Sequence, residues 1–188
     1  MQPRSPAQLS HHQQRGLQLF EVVLLVALIG LLMFVAGGKV MELRSDVERS
    51  RLQQVVDDLN ATLALEAAGH VIHRRREQLM ALHHSNPVSL LEQRGGSLDG
   101  YIGERYAADP LSIDPGQWYF ERSENLLIYR VRHARFFQSP LDGPARARFR
   151  AVVEFEGDAD NNASERPGGF RRAALVAAEP YQWRAEQP

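Results

Sequence analysis

Residues 15–38 read RGLQLFEVVLLVALIGLLMFVAGG, the most apolar stretch of the chain. Glu21 is its only acidic residue, and no charged residue lies between Val22 and Gly38. At about 1.5 Å per residue, a helix over residues 17–38 is roughly 33 Å long, which suffices for a bilayer core of about 30 Å. The stretch therefore predicts a membrane-spanning helix. A carboxylate is costly to carry unpaired into an apolar environment, so Glu21 requires a partner or a function.

Two other interpretations of this stretch are weaker. A buried core helix is disfavoured because a helix that is apolar on every side is hard to cover within a small, mostly polar chain. A cleaved secretory signal fits the preceding Arg4 and Arg15 and the small residues at positions 35–38. However, the run is longer than the usual signal core of about 7–15 residues, and Glu21 lies at its start. Basic residues flank the stretch on both sides and leave its orientation undetermined: Arg4 and Arg15 precede it, and Lys39, Arg44, Arg49 and Arg51 follow it.

The residues around Gly16 carry a family resemblance. Arg15-Gly16, followed by Leu17-Gln18-Leu19-Phe20-Glu21-Val22 and a continuous apolar helix, resembles the class III signal of type IV prepilins and of type II secretion pseudopilins. The resemblance implies that residues 1–16 are a leader, that a prepilin peptidase cuts between Gly16 and Leu17, and that the new amine is methylated. Glu21 then becomes the fifth residue of the mature chain. Its implied role is to pair with the N-terminal amine of a neighbouring subunit during assembly.

The same resemblance gives a role to three glycines. Gly30, Gly37 and Gly38 lie where the family has residues that weaken the helix and let it stretch in the filament. Glycines that merely allow close helix packing are the alternative. For Glu21 the alternative is a position among headgroups, where the helix macrodipole favours a carboxylate at the N-terminus.

Departures from the family pattern concern the start of the mature chain. Leu17 replaces the usual phenylalanine, Gln18 replaces a small polar residue, and the leader is longer than in common major pilins. These departures indicate a minor or accessory subunit.

Residues 39–84 predict an amphipathic continuation of the helix. The apolar positions recur mostly at spacings of three and four: Val40, Leu43, Val47, Leu52, Val55, Val56, Leu59, Leu63, Ala67 and Val71. A break near Gly69 or earlier is expected, because an unbroken helix to His84 is about 100 Å long. A two-stranded coiled coil is the alternative, but the stripe shifts register between Val47 and Leu52.

The remaining chain predicts loops and then strands. Residues 85–117 are rich in glycine and proline and predict a loop-rich connection with a short helix at 88–93. Residues 118–188 predict a small antiparallel sheet, with strands at 118–122, 126–133 and 148–156 and a last strand at 173–178 or 181–183. The expected fold is thus α+β, with a long membrane-spanning N-terminal helix packed on a small antiparallel sheet, as in pilins. Trp118-Tyr119-Phe120 and residues 126–131 are also similar to a minor subunit of the mannose-sensitive haemagglutinin (MSHA) pilus system.

Composition and motifs disfavour several other functions. A net charge of −1 on 188 residues argues against a nucleic-acid partner, and the absence of cysteine excludes disulfides and thiol catalysis. His70 and His73 lack converging carboxylates, so a solvated helix face is favoured over a metal site, and no catalytic motif indicates an enzyme. Alternating oxygen-bearing residues form a weak calcium candidate, for which a solvated turn is the favoured alternative: Asp158, Asp160 and Asn162. No other cofactor is expected.

Together these features predict a minor pilin or pseudopilin of an MSHA-like type IV pilus or a type II secretion system. The implied partners are the prepilin peptidase, other pilin subunits and the inner membrane. The expected location is the inner membrane, crossed once, with the C-terminal domain in the periplasm, or an extracellular filament. The alternative is an uncleaved single-pass envelope scaffold protein whose helical stalk pairs with another membrane protein.

Overall fold

A computed structural model describes residues 14–156 and 169–184, and within the first helix it describes side chains at 20–34 and from Arg44 onward. The helices are α1 (Gln14–Ile72), α2 (Arg76–Ala81) and α3 (Pro87–Gln93). The strands are β1 (Tyr101–Arg105), β2 (Trp118–Glu121), β3 (Leu126–Arg130), β4 (Phe137–Gln138), β5 (Arg146–Phe155), β6 (Phe170–Ala177) and β7 (Gln182–Trp183). The chain divides into two compact units: unit 1 ends at Leu43 and unit 2 begins at Arg44.

Unit 1 consists, in its described part, of the N-terminal portion of α1. In the part of the chain that the structure describes, no helix combines the length and the apolar character needed to cross a membrane. The predicted membrane-spanning helix over residues 17–38 is therefore wrong.

The unit 2 portion of α1 packs on the sheet through one stripe. Leu52, Leu59, Leu63 and Ala67 are at most 3% exposed and share one hydrophobic core with the sheet. The Asn60 side chain adds a polar contact, because its Oδ1 accepts the Leu175 N–H of β6 at 2.6 Å. The predicted packing of helix on sheet is confirmed. Since the sheet occupies the stripe, this portion of α1 offers no apolar seam for the alternative coiled coil.

A short turn separates α1 from α2. α1 continues through Gly69 to Ile72, and Arg74 then adopts a positive φ of 54°. The predicted break thus lies a few residues beyond Gly69. The predicted short helix is α3, where Asn86 caps the N-terminus by accepting the Val88 N–H at 3.0 Å and Pro87 occupies the first turn.

The main sheet has five strands in the order β1-β2-β3-β5-β6. β2, β3, β5 and β6 pair antiparallel, as expected, but β1 pairs parallel with β2, so the prediction of a wholly antiparallel sheet is wrong. Both proposed last strands exist: β6 closes the main sheet, and β7 pairs with β4 in a separate two-stranded sheet. The fold of unit 2 is α+β.

Both faces of the central strands are buried. Trp118, Phe120 and Leu127 face the core shared with α1. Tyr119 and Ile128 lie in a second cluster that Ile113 and Ala108 help to cover. The segment predicted as a loop-rich connection therefore supplies both an edge strand and the cover for the far face of the sheet.

Candidate functional site

The α1 segment from Phe20 to Phe34, here called the apolar segment, exposes its large side chains. Their exposed fractions run from 46% to 83%, and they occupy consecutive positions on every side of the helix: Phe20, Val22, Val23, Leu24, Leu25, Val26, Leu28, Ile29, Leu31, Leu32, Met33 and Phe34. Contiguous apolar surface on this scale is typical of a site that another apolar surface covers. The apolar segment is the first candidate site.

Glu21 lies within the apolar segment and is exposed. In the described part of the chain, its carboxylate has neither a hydrogen-bond nor an ion-pair partner. Gly30 also belongs to this segment, and a Cβ added there meets no atom within 4 Å. Nothing in the described part of unit 1 therefore requires a glycine at this position for packing.

The predicted processing site lies at the start of α1. The helix begins at Gln14, so the Gly16–Leu17 bond is in its first turn. Backbone N–H groups in a first turn have no intrahelical acceptor, and this part of a helix therefore opens at little cost. Gly37 and Gly38 are also helical in α1, and their surroundings lie outside the described part of the structure.

The calcium candidate lies outside the described residues, since Asp158, Asp160 and Asn162 fall within the gap from 157 to 168. Within the described ranges, no group of three or more His, Cys, Asp or Glu side chains is placed to hold a metal ion. His70 lies 3.2 Å from Glu66, which also pairs with Arg94 at 2.6 Å.

In unit 2, a buried carboxylate joins α1 to the end of β3. Glu48 is only 6% exposed, and both of its oxygens are occupied. Oε1 accepts the Tyr129 hydroxyl at 2.8 Å and the Arg132 N–H at 2.6 Å. Oε2 accepts the His133 N–H at 3.0 Å and lies 2.5 Å from His133 Nδ1. The three donors and the His133 ring fix residues 132–133 against the helix.

The Glu48 contacts change the chemistry of Tyr129. Burial raises the pKa of the Tyr129 hydroxyl, and the adjacent Glu48 carboxylate raises the pKa further through charge repulsion and hydrogen bonding. Arg132 and Arg51 act in the opposite direction. Tyr129 therefore stays protonated and serves as a hydrogen-bond donor rather than as an acid.

A cleft opens beside Glu48, between α1 and the sheet. Its volume is about 720 Å³. Arg44, Val47 and Arg51 of α1 line one wall, and Arg132 and Tyr129 contribute to the other. This cleft is the second candidate site.

A second buried carboxylate, Glu121, organises the far face of the sheet. It accepts the N–H groups of Ala107 at 2.7 Å and Ala108 at 2.9 Å. It also accepts the Ser123 N–H at 3.0 Å and the Ser123 hydroxyl at 2.6 Å. Burial alone raises the pKa of Glu121, but the Ser123, Ala108 and Ala107 donors together hold the pKa below its usual value.

The sequence patterns missed Glu48 because its charge removed it from the apolar stripe. The buried stripe of α1 begins with two polar residues and continues with apolar ones: Ser45, Glu48, Leu52, Val56, Leu59, Leu63 and Ala67. The spacing of three and four residues could have placed Glu48 on this buried stripe, since Glu48 stands four residues before Leu52. A carboxylate on a buried helical stripe predicts a set of donors facing it.

Comparisons with known proteins return no similarity: no protein-family model matches the chain, no curated protein matches it, and no solved structure matches it.

Proposed function

We propose that this chain is a minor pilin or pseudopilin, a structural subunit that a prepilin peptidase cuts after Gly16 and that assembles into a filament through its apolar segment. The observation that carries the proposal is the exposed apolar surface of residues 20–34, with the unpartnered Glu21 near its start. The order of residues from Arg15 to Val22, which resembles the class III prepilin signal, supports the same assignment.

The distribution of the exposed side chains favours a bundle of several subunits. A single partner helix covers only one side of a helix, and a two-stranded stalk leaves the opposite side in water. The apolar segment exposes residues at consecutive positions, including Val22, Val23 and Leu24. Covering all of them requires apolar neighbours on every side, which the equivalent segments of other subunits in a filament core provide.

Cleavage supplies a partner for Glu21. The amine created at Leu17 stands four residues before Glu21, so on a helix the two charges lie on the same side, one turn apart. A neighbouring subunit displaced along the filament axis by about one turn brings its amine to the Glu21 carboxylate. This pairing offsets the cost of enclosing the carboxylate among apolar side chains.

The decisive experiment is mass measurement of the chain purified from cells with and without a prepilin peptidase. We expect the mass to fall by that of residues 1–16 only when the peptidase is present. Gly16→Ala should abolish the loss, because a side chain at that position obstructs access to the peptide bond. Gly30→Ala is the matched control, since a Cβ there meets no atom, and it should be cut normally. An intact N-terminus in both strains refutes the proposal and favours the uncleaved scaffold protein.

A further inference from the structure

One edge of β5 outlasts its neighbouring strand. β3 pairs with β5 from Arg146 to Phe149, whereas β5 continues to Phe155. Backbone N–H and C=O groups at such an edge need other partners, because unpaired groups invite pairing with another chain. The connection between α2 and α3, residues 82–86, supplies these partners. It is called the histidine turn below.

The histidine turn makes two hydrogen bonds to this edge. The backbone N–H of His84 donates to the Ala151 carbonyl at 2.8 Å. The Val153 N–H donates to Nδ1 of the His83 ring at 3.2 Å. A ring nitrogen accepts a hydrogen bond only while it carries no proton, so this contact requires a neutral His83. Protonation of Nδ1 places an N–H of the ring opposite the Val153 N–H and ends the bond.

The two rings of the histidine turn contact each other. The ring centroids of His83 and His84 are 3.9 Å apart, and both residues are exposed, so protons reach both rings from solvent. Two imidazolium ions at this distance repel each other. His84 also has a positive φ of 62°, which is uncommon for a residue other than glycine. Release of the turn therefore relieves the repulsion and frees His84 from this conformation.

The charges around His84 favour its neutral form. Partial burial of the ring, the neighbouring His83 and Arg150 of β5 all lower the pKa of His84. In the described part of the chain, the other charged residues of the flanking elements do not act on it: Arg76 and Glu77 of α2, Glu92 of α3 and Glu154 of β5. The stabilisation by the neutral ring is complete above the ordinary pKa of 6.5 and is lost as the pH falls through the lower folded value.

We propose that His83 and His84 form an acid-sensitive closure of the β5 edge. At neutral pH the histidine turn occupies the edge at Ala151 and Val153. When the rings take up protons, the bond to Val153 is lost, the rings repel each other, and the turn leaves the edge. The proposal goes beyond the filament function, because it needs only residues of unit 2 and holds whether or not Gly16 is cut.

The test is amide hydrogen exchange of the full-length chain in mild detergent, followed by NMR at pH 7.5 and pH 5 and corrected for the intrinsic pH dependence of exchange. The protection of the Val153 N–H should fall about three- to tenfold at the lower pH, which corresponds to the loss of one hydrogen bond. The Val152 N–H is the internal control, because it points to the opposite side of the strand, toward Ala174 of β6. Its protection should not change.

His83→Asn is the decisive variant, because the Asn Oδ1 replaces Nδ1 as an acceptor that takes up no proton at either pH. Its Val153 N–H should be equally protected at both pH values. His73→Asn changes an exposed histidine just beyond α1 and is the matched control, which should keep the pH dependence of the unmodified chain.

Titration of the His84 ring by NMR gives a second measurement, which does not require a variant. The pKa of His84 should lie below 6.5 in the unmodified chain, and in His83→Asn it should rise, because the neighbouring ring no longer becomes charged. The proposal is overturned if the Val153 protection of the unmodified chain is the same at both pH values, if His83→Asn loses as much protection, or if Val152 loses as much as Val153.

Discussion

Two carboxylates of the same helix have opposite surroundings. Glu48, in unit 2, is 6% exposed, accepts three hydrogen bonds from the chain that contains it and also contacts the His133 ring. Glu21, in unit 1, is exposed and has no partner in the described part of the chain. The fold therefore accounts for Glu48, whereas the described residues supply no partner for Glu21.

The apolar side chains around the two carboxylates differ in the same way. In unit 2, Leu59 and Leu63 are each 1% exposed, while in unit 1 Met33 is 72% and Phe34 83% exposed. Covering a large apolar side chain contributes about 1.5–3 kcal/mol, so covering the apolar segment contributes on the order of 10 kcal/mol per chain. That exceeds the cost of a few kcal/mol for enclosing one unpaired carboxylate. In the proposed filament, the apolar side chains would therefore supply the driving force for assembly, and Glu21 would set its register.

Glu48 provides the largest test of this contrast. Glu48→Ala leaves Tyr129 and the N–H groups of Arg132 and His133 without their acceptor, and we expect unit 2 to lose about 3–5 kcal/mol of unfolding free energy. Urea unfolding followed by tryptophan fluorescence reports the loss, because Trp118 lies 4.7 Å from Tyr129 between ring centroids.

Its control is Asp57→Ala. Asp57 is exposed and accepts one bond from Gln53 at 3.0 Å, so its removal should cost less than about 0.5 kcal/mol. Equal losses in the two variants would show that Glu48 is no more integral to the fold than a surface carboxylate.

Glu21 should give the opposite result. We expect Glu21→Val to leave the unfolding of unit 2 unchanged and to reduce incorporation into sheared filaments about tenfold, because the register-setting charge is lost while the apolar driving force remains. Immunoblotting of the filament fraction measures incorporation. The chain has no cysteine, so Ile29→Cys introduced alone reports residual association by disulfide cross-linking.

Asp46→Ala, which removes another exposed carboxylate of α1, is the control for Glu21 and should be incorporated normally. Normal incorporation of Glu21→Val contradicts a role for this carboxylate in assembly, and unstable unit 2 in that variant contradicts the distinction drawn between the two residues.

Sequence patterns predicted the parts of unit 2 that depend on local periodicity. The strand predicted at 148–156 corresponds to β5, in which the alternating residues Phe149, Ala151 and Val153 form the buried face. β1 was missed because its short sequence contains Gly103 at a φ of +89° and lies among turn residues. Its parallel pairing with β2 depends on a crossover that no hairpin pattern signals.

The candidate sites were predictable to different degrees. The apolar segment and Glu21 are evident from the sequence alone. The same stretch of sequence also predicted a membrane-spanning helix, which was wrong. Arg132 and Gly116 join the cleft beside Glu48 only through tertiary packing. Their sequence separation from Arg51 leaves no local pattern by which the cleft could have been predicted.

Glu121 extends the comparison to a buried carboxylate whose donors are chiefly backbone groups. Its pKa in the folded chain lies below the ordinary value of 4.5. A carboxylate whose pKa is lower in the folded than in the unfolded chain stabilises the fold fully at any pH above its pKa in the unfolded chain. This stabilisation is lost as the pH falls through its pKa in the folded chain. Glu121→Gln should therefore be about 1–2 kcal/mol less stable at pH 7, and the difference from the unmodified chain should shrink as the pH falls below 4.5.

Urea unfolding from pH 7 to pH 3 measures the free energy of unfolding against pH for the unmodified chain and for Glu121→Gln. Glu77→Gln changes an exposed carboxylate and is the control, whose curve should run parallel to that of the unmodified chain. If the Glu121→Gln curve also runs parallel down to pH 3, the ionised form of Glu121 has no advantage over a neutral acceptor. The loop of Ala107 and Ala108 would then depend on the shape of the side chain rather than on its charge. Convergence of the curves at low pH would instead place Glu121 with Glu48, as a carboxylate whose charge is satisfied within its own chain.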